Sequence, residues 1–332
     1  MTIRTAPEAP TTPGLPTAAP DMSIVIPVYN SAEALPELVQ RLAGVLPALT
    51  PRFEVLLVND GSRDQSWQVI LALLAEHAWL RGINLMRNYG QHNALLAGIR
   101  AANGELIVTM DDDLQHPPEE LPRLIERLNQ GYDVVYGTPQ QQQHGLLRDL
   151  ASELTKLALQ GSMGAETARK VSAFRVFRSV VRNAFVQFQG SFVSIDVLLT
   201  WGTARFTAVS VEHAPRRYGS SNYTLRKLIT HALNMITGFS VLPLQLASLI
   251  GFGFTLFGLV VLIYVLGRYL ILGYSVPGFP FLASIIAIFS GAQLFALGII
   301  GEYLARVHFR MLERPSYVVR EQLVGHEVQH NR

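Results

Sequence analysis

Short β-branched runs alternate with segments of helical apolar spacing from Ser23 to about Tyr136. The run Ser23-Ile24-Val25-Ile26-Pro27-Val28-Tyr29 predicts a strand, and Leu35, Leu38, Val39, Leu42 and Leu46 predict the helix that follows it. Phe53–Val58, Ile83–Met86, Leu106–Thr109 and Asp133–Tyr136 predict further strands, with helices from about Asp64 to His77 and from near Gly90. Beyond Thr109, Pro117-Pro118-Glu119-Glu120 opens another helix, since a first turn tolerates proline and favours acids. Strands alternating with helices imply right-handed crossovers and an α/β head built on a mostly parallel sheet covered on both faces. Later in the chain, Arg205–Val211 predicts one more strand and Val171–Arg175 leads into a helix. A helix from about Leu146 to Gln160 would carry Arg148, Ser152 and Lys156 on one face.

The pattern then changes. Leu225, Leu228, Ile229, Leu233 and Ile236 recur at helical spacing among Arg226, Lys227 and His231, which predicts an interfacial amphipathic helix over 223–240. No charged residue lies between His231 and Arg268, and none lies between Arg268 and Glu302. Each gap exceeds the roughly 20 residues that cross a bilayer, so two transmembrane helices are expected, near 243–267 and 281–303. Arginines cluster before the first span (Arg216, Arg217, Arg226) and after the second (Arg306, Arg310, Arg314), whereas the connector 273–280 has no charge. The positive-inside rule puts both ends, and the head with them, in the cytoplasm, with a hairpin reaching the far side of the membrane. Glu302 and Arg306, one helical turn apart, are expected to pair.

Composition narrows the chemistry. The 332 residues contain no cysteine, which removes disulfides, thiolate metal sites and a cysteine nucleophile, and the net charge of +2 gives no reason to expect nucleic acid. Residues 1–21, rich in proline, threonine and alanine, predict a disordered tail without the continuous apolar core of a secretory signal. The expected organisation is therefore tail 1–21, α/β head 22–222, interfacial helix 223–240, membrane helices 241–304 and cytoplasmic tail 305–332.

Polar residues gather where the predicted strands end. Asp111, Asp112 and Asp113 sit at the C-terminal mouth of the strand 106–109, where open α/β sheets bind ligands. Crowded carboxylates repel unless a cation joins them, which suggests a hard divalent ion shared with substrate phosphates; the plainer reading is a solvated acidic turn. Pro27-Val28-Tyr29-Asn30, Asp60-Gly61-Ser62 and Arg87–His92 end three other strands on the same edge. Asp60 suits a base or ribose as acceptor, or else caps the next helix. Neither a P-loop nor a G-x-G-x-x-G after the first strand is present, so phosphates need another partner. The stretch Arg216-Arg217-Tyr218-Gly219-Ser220-Ser221 offers arginine forks and hydroxyls to a phosphate, or serves as positive-inside charge, and both can hold at once.

Several motifs in fixed order, VIPVYN (25–30), VNDGS (58–62), RNYGQH (87–92), MDDDLQHPPEELPRL (110–124), GYDVV (131–135), RRYGSSNY (216–223), GEYLARV (301–307) and RPSY (314–317), resemble a family 2 glycosyltransferase of GT-A fold. They are similar in particular to the polyprenyl-phosphate branch and, within it, to the undecaprenyl-phosphate 4-deoxy-4-formamido-L-arabinose transferases. The resemblance implies a nucleotide-sugar donor, in this case a UDP-sugar, a polyprenyl (undecaprenyl) phosphate acceptor, Mg²⁺ or Mn²⁺ as cofactor, and a homo-oligomer, often a tetramer. It implies that Pro27, Tyr29, Asp60 and Arg87 line the donor pocket, with Gln115, Arg148 and Ser152 nearby. Asp111 and Asp113 match the acids of the family's D-x-D motif, Asp113 being the more direct metal ligand. Arg175 matches a catalytic polar position, and Arg216, Arg217 and Ser221 match the loop beside the acceptor phosphate.

Two departures stand out: Asn222 replaces that loop's lysine, and Ala173 replaces an acid found in many relatives. The rival enzyme reading, a processive polysaccharide synthase, requires a Q-x-x-R-W motif that none of Trp67, Trp79 and Trp201 completes. A membrane-anchored sugar-nucleotide binding protein without turnover finds support only in Asn222 and Ala173.

Overall fold

The computed structural model describes residues 19–139, 171–190, 193–214, 242–272, 278–312 and 314–325. The helices expected over 146–160 and 223–240, and the residues Arg148, Ser152, Arg216, Arg217, Ser221 and Asn222, lie outside them.

Among the described residues, eight strands form one sheet. In chain order the elements are β1 (Met22–Val28), α1 (Leu35–Leu49), β2 (Phe53–Asn59), α2 (Ser66–Glu76), β3 (Leu80–Leu85), α3 (Gln91–Ala101) and β4 (Leu106–Thr109). A 3₁₀ turn (Pro118–Glu120) then leads into α4 (Leu121–Asn129), followed by β5 (Val134–Pro139) and β6 (Arg175–Arg178). A second 3₁₀ segment (Ser179–Ala184), α5 (Ile195–Gly202), β7 (Phe206–Val211), α6 (Leu242–Leu272), α7 (Phe279–Met311) and β8 (Val319–Val324) complete the described chain. The order across the sheet is β7-β5-β6-β4-β1-β2-β3-β8. Six strands run in one direction, while β6 runs against β4 and β5 and β8 runs against β3.

The sheet is covered on both faces, which explains why β1 and β2 read as unbroken apolar runs. One core contains Ile24, Ile26, Val55 and Leu57 under α1 and α2; the other contains Val25, Leu56 and Val58 under α3. Each fully buried Leu, Ile or Val contributes about 1.5–3 kcal/mol. Gly98 lets α3 lie close on the sheet, because a Cβ there would come within 2.3 Å of Val25. Pro27 costs no sheet bond: its backbone faces β4, whose pairing already ends at Val25 opposite Thr109.

Two strands were not legible. The stretch after Ala173, expected to enter a helix, forms β6, because Arg175-Val176-Phe177-Arg178 fits the gap between β4 and β5. The segment expected as a tail over 305–332 instead supplies β8, where Gln322 pairs with Ile83 and Glu321 with Asn84. A polar chain runs through this edge, from Asn59 Nδ2 to Asn84 Oδ1 (2.9 Å) and from Asn84 Nδ2 to Glu321 Oε1 (3.0 Å).

Helices α6 and α7 contain 31 and 33 residues. At 1.5 Å per residue each exceeds the ~30 Å hydrocarbon core. Their apolar windows, Leu244–Ile271 and Ile288–Ala305, are long and apolar enough to cross a membrane. They touch through Phe289, whose ring meets Phe254 and Phe257 and lies 3.1 Å from where a Cβ on Gly258 would be. The expected Glu302–Arg306 pair involves an arginine side chain outside the description.

Candidate active site

The loops that end β1, β2, β3, β4 and β7 meet at the C-terminal mouth of the sheet, with Ala173 and Phe174 entering β6 from the same side. The loops after β1 and β2 are laced together. Asn30, at φ 55°, receives Arg63 N–H on its side-chain oxygen (2.8 Å) and donates its own N–H to Ser62 Oγ (3.0 Å). Ser31 N–H reaches Ser66 Oγ (2.9 Å), and Ala32 N–H reaches Asp64 Oδ2 (3.1 Å).

Asp60 is buried and ties the second loop to the third. Its two oxygens accept the N–H groups of Tyr89 (2.7 Å) and Gly90 (2.8 Å), so it bridges two loops rather than capping the helix that follows β2. Burial raises its pKa against those two bonds. Gly61 makes the junction possible: it holds φ +63°, and a Cβ would stand 2.5 Å from Arg87 C and Asn88 N. Arg87 is exposed, with its guanidinium 4.7 Å above the Tyr89 ring. Pro27 is buried at the end of β1, and Tyr29 is exposed at the rim.

Each acid of the triplet faces a different neighbour. Asp111 Oδ1 accepts the Gln91 side-chain amide at 2.6 Å, from the first residue of α3. Asp112 turns toward the β1 loop, where Oδ2 accepts Tyr29 N–H (3.3 Å) and the Ser31 hydroxyl bonds it as well. Asp113 Oδ1 accepts Gln115 N–H at 3.1 Å, closing the turn through Leu114, which is buried at φ 60°. Burial pushes the Asp112 pKa up to about 6, and repulsion from Asp113 adds to the rise.

The other side of the turn is aromatic. His116 is buried and stacks on Phe174 with ring centroids 5.5 Å apart, and His213 meets it edge-on at 5.2 Å. Gln115, expected at the donor, has its Nε2 3.3 Å from His213 Nε2. Burial, and next the neighbouring His213, lower the His116 pKa to about 4, so this imidazole is neutral at pH 7.

Arg175, expected among the catalytic residues, lies inside the fold instead. Only 2% exposed, it is ion-paired with Asp196, and its guanidinium lies 5.7 Å from the centre of the Tyr136 ring, whose hydroxyl donates to the same Asp196 oxygen at 3.1 Å. A charge so deep is held by its partner, and its geometry here is that of a structural ion pair.

No three His, Asp or Glu side chains among the described residues converge on a ready metal cage. The half-buried acids of the turn are oxygen donors of the type that holds Mg²⁺ or Mn²⁺ through one or two carboxylates, with substrate phosphates supplying other ligands. The residues therefore fit a metal that arrives with its substrate.

Comparison with known proteins bears on this site directly. Residues 23–185 match the model of the family described as "Glycosyl transferase family 2". A protein of Shewanella sediminis (strain HAW-EB3), named undecaprenyl-phosphate 4-deoxy-4-formamido-L-arabinose transferase, is 38% identical over 92% of this chain and 93% of its own. The chain belongs to glycosyltransferase family 2. A relative of the same name from Yersinia pestis (strain Pestoides F) is 36% identical over 93% of this chain and 95% of its own. Among solved structures, Mycobacterium tuberculosis glucosyl-3-phosphoglycerate synthase with Mn²⁺, uridine-diphosphate and phosphoglyceric acid aligns at TM-score 0.50 and 17% identity, over 66% of this chain and 76% of that one. That likeness supports the GT-A architecture of this family 2 glycosyltransferase.

Four residues packed around the acidic turn gave little sequence signal. Asp112 was hidden between the two matched acids, and Gln91, His116 and His213 lay in quoted or neighbouring motifs without an assigned role. Their partners are up to 98 positions away in the chain, as with Gln115 and His213, so no local pattern could pair them.

Proposed function

We propose that this glycosyltransferase moves a single sugar from a UDP-sugar to polyprenyl phosphate, with inversion at the anomeric carbon and with Mg²⁺ or Mn²⁺ on Asp111 and Asp113. The observation that carries this reading is identity of 38% sustained over 92% of the chain, so that head and apolar helices are matched together to a relative named for an undecaprenyl-phosphate acceptor. Chemistry supports it. A phosphomonoester has a second pKa near 6 and is largely dianionic at neutral pH, so it is a nucleophile without a protein base. The alanine at position 173 is then no obstacle.

In this reading Pro27, Tyr29, Asp60 and Arg87 frame the donor's base and ribose. Asp60 also shapes the Arg87–Gly90 loop, since each of its oxygens holds a backbone N–H group. When bound, the metal supplies Lewis-acid neutralisation of the departing diphosphate. Arg216, Arg217 and Ser221 hold the acceptor phosphate in line with the anomeric carbon. The two apolar helices keep the head at the cytoplasmic face of the inner membrane, where the lipid's phosphate is presented. The relatives' sugar is not carried over to this chain.

The test is a transfer assay with the full chain in detergent, undecaprenyl phosphate and a panel of UDP-sugars. One sugar per lipid, abolished by chelator and restored by Mn²⁺, is the expected product. Chains of several sugars would instead indicate a synthase, and donor binding without any product would indicate a binding protein.

A further inference from the structure

The chain leaving α7 is fastened to the head at the mouth of the sheet. β8 runs antiparallel to β3, and its first residue, Val319, lies beside Leu85, the last residue of β3. Just before it, Val318 O accepts Met86 N–H at 2.9 Å. Ser316 is buried, donating its hydroxyl to Gly190 O (2.9 Å) and accepting Gly190 N–H (3.3 Å). The Arg100 guanidinium lies 5.5 Å from the centre of the Tyr317 ring. Residues 312–315 alone separate these ties from Met311, the end of α7, and an extended chain from Met311 to Ser316 spans at most about 18 Å. α7 itself has 33 residues, or ~50 Å at 1.5 Å each, slightly more than the ~40–45 Å of a bilayer with its headgroups. A helix that begins at one surface therefore delivers Met311 to the headgroups of the other.

The side chains at this corner are apolar and face outward. Met86 is 48% exposed, Val318 42% and Val319 39%. Edge strands are usually guarded against pairing by charged side chains. β8 carries them further along, where Arg320, Glu321 and Gln322 are exposed, with Glu321 held by Asn84 Nδ2 at 3.0 Å. Apolar exposure is strongest at the end of the strand nearest α7. A second copy adding a strand to this edge would use its whole length, whereas a bilayer needs only the corner. Arg87, Arg314 and Arg320, all exposed, flank the apolar residues in the chain. Cations beside a small apolar patch suit anionic headgroups above acyl chains.

We propose that the Met86–Val318–Val319 corner is a membrane-contact surface: its side chains enter the boundary between headgroups and acyl chains and hold the mouth of the sheet against the bilayer. This rests on the membrane reading of α6 and α7 given above. Met86 directly precedes Arg87 of the proposed donor pocket. Contact at this corner therefore sets the height of that loop over the layer in which a lipid phosphate lies.

The chain contains no cysteine, so single-cysteine variants can be spin-labelled without background. Met86→Cys and Val318→Cys probe the corner, and Leu259→Cys probes the apolar stretch of α6. Asn129→Cys, at the exposed end of α4 that leads into the start of β5, probes the opposite end of the sheet. Each full chain is reconstituted in vesicles of phosphatidylethanolamine and phosphatidylglycerol. Electron paramagnetic resonance then measures collision with oxygen, which partitions into lipid, and with a water-soluble nickel chelate. The Met86→Cys and Val318→Cys labels are expected to meet nickel about threefold less than the Asn129→Cys label, with oxygen collision retained. Nickel access equal to that of Asn129→Cys, while the Leu259→Cys label lies in lipid, overturns the inference. So does protection from both agents, which would show another protein surface covering the corner. A water-accessible Leu259→Cys label removes the membrane reading of α6, and the inference falls with it.

Discussion

The carboxylates at the two ends of the sheet live under opposite rules. At the N-terminal end they are matched to arginines. Glu54 holds Arg81 at 2.6 Å and also accepts the Ser23 hydroxyl and Asn103 N–H, while Asp133 holds Arg205 at 2.8 Å. Asp133, although burial acts to raise its pKa, ends below the usual range because Arg205 and Thr203 bond it. At the C-terminal mouth Asp60, Asp111, Asp112 and Asp113 each accept a backbone N–H, amide or hydroxyl group, and burial leaves Asp60 and Asp112 raised. At one end arginines hold the acids ionised, whereas at the other burial makes Asp60 and Asp112 costly to ionise. The same residue type thus marks architecture or function according to which edge of the sheet it occupies.

Substitutions at the two ends should separate these roles, beginning with the largest effect. Asp113→Ala at the mouth is expected to lower kcat on the order of a hundredfold or more, with little loss of thermal stability. Turnover assays with Mn²⁺ at several concentrations, paired with thermal unfolding, measure both sides. Near-normal kcat at saturating metal would remove Asp113 from the metal site.

At the other end, Glu54→Gln should do the reverse. It leaves the largely covered Arg81 without its counter-charge, and a loss of about 3 kcal/mol is expected in chemical denaturation, with donor affinity unchanged in whatever fraction stays folded.

Asp112→Asn gives a smaller and opposite change. Its folded pKa of about 6 lies above the unfolded value of 3.8, so the fold disfavours the charged form. Wild-type stability from this group therefore falls as pH rises from about 4 to 6 and stays lost above that. Asp112→Asn should stabilise the metal-free protein at pH 7 by up to about 3 kcal/mol, and by nothing near pH 4. His116 runs the other way: its pKa of about 4 lies below the unfolded 6.5, so its contribution is intact above pH 6.5 and is lost as pH falls toward 4. The two trends oppose each other between pH 4 and 6. A pH series of unfolding on Asp112→Asn should uncover the His116 decline, and His116→Phe in that background should flatten it.

The smallest effect is expected at the surface, where Arg41 and Glu119 pair at 2.6 Å beside α4. Glu119→Gln should shift stability by less than about 1 kcal/mol, and less still in high salt. A larger change there would mean that exposed pairs in this head behave like the Glu54 network, and the contrast between the two ends would weaken.

Much of this was readable along the chain. The alternation from Ser23 to Tyr136 encodes strand, helix and burial locally, because a period of two or of 3.6 residues is a property of neighbours. The triple acid after Thr109 and the two long uncharged stretches were legible for the same reason, each being a contiguous signal. Tertiary structure decided everything that depends on partners far apart. It turned Arg175-Val176-Phe177-Arg178 into a strand and buried Arg175 against Asp196, and it recruited Val319–Val324 to the sheet edge. It also gave each aspartate of the triplet a different neighbour: Gln91 for the first, Tyr29 and Ser31 for the second, and the Gln115 turn that His213 reaches for the third. Three identical adjacent residues carry no local information that could tell them apart. Their environments differ because strand order, not sequence order, determines which loops arrive beside them.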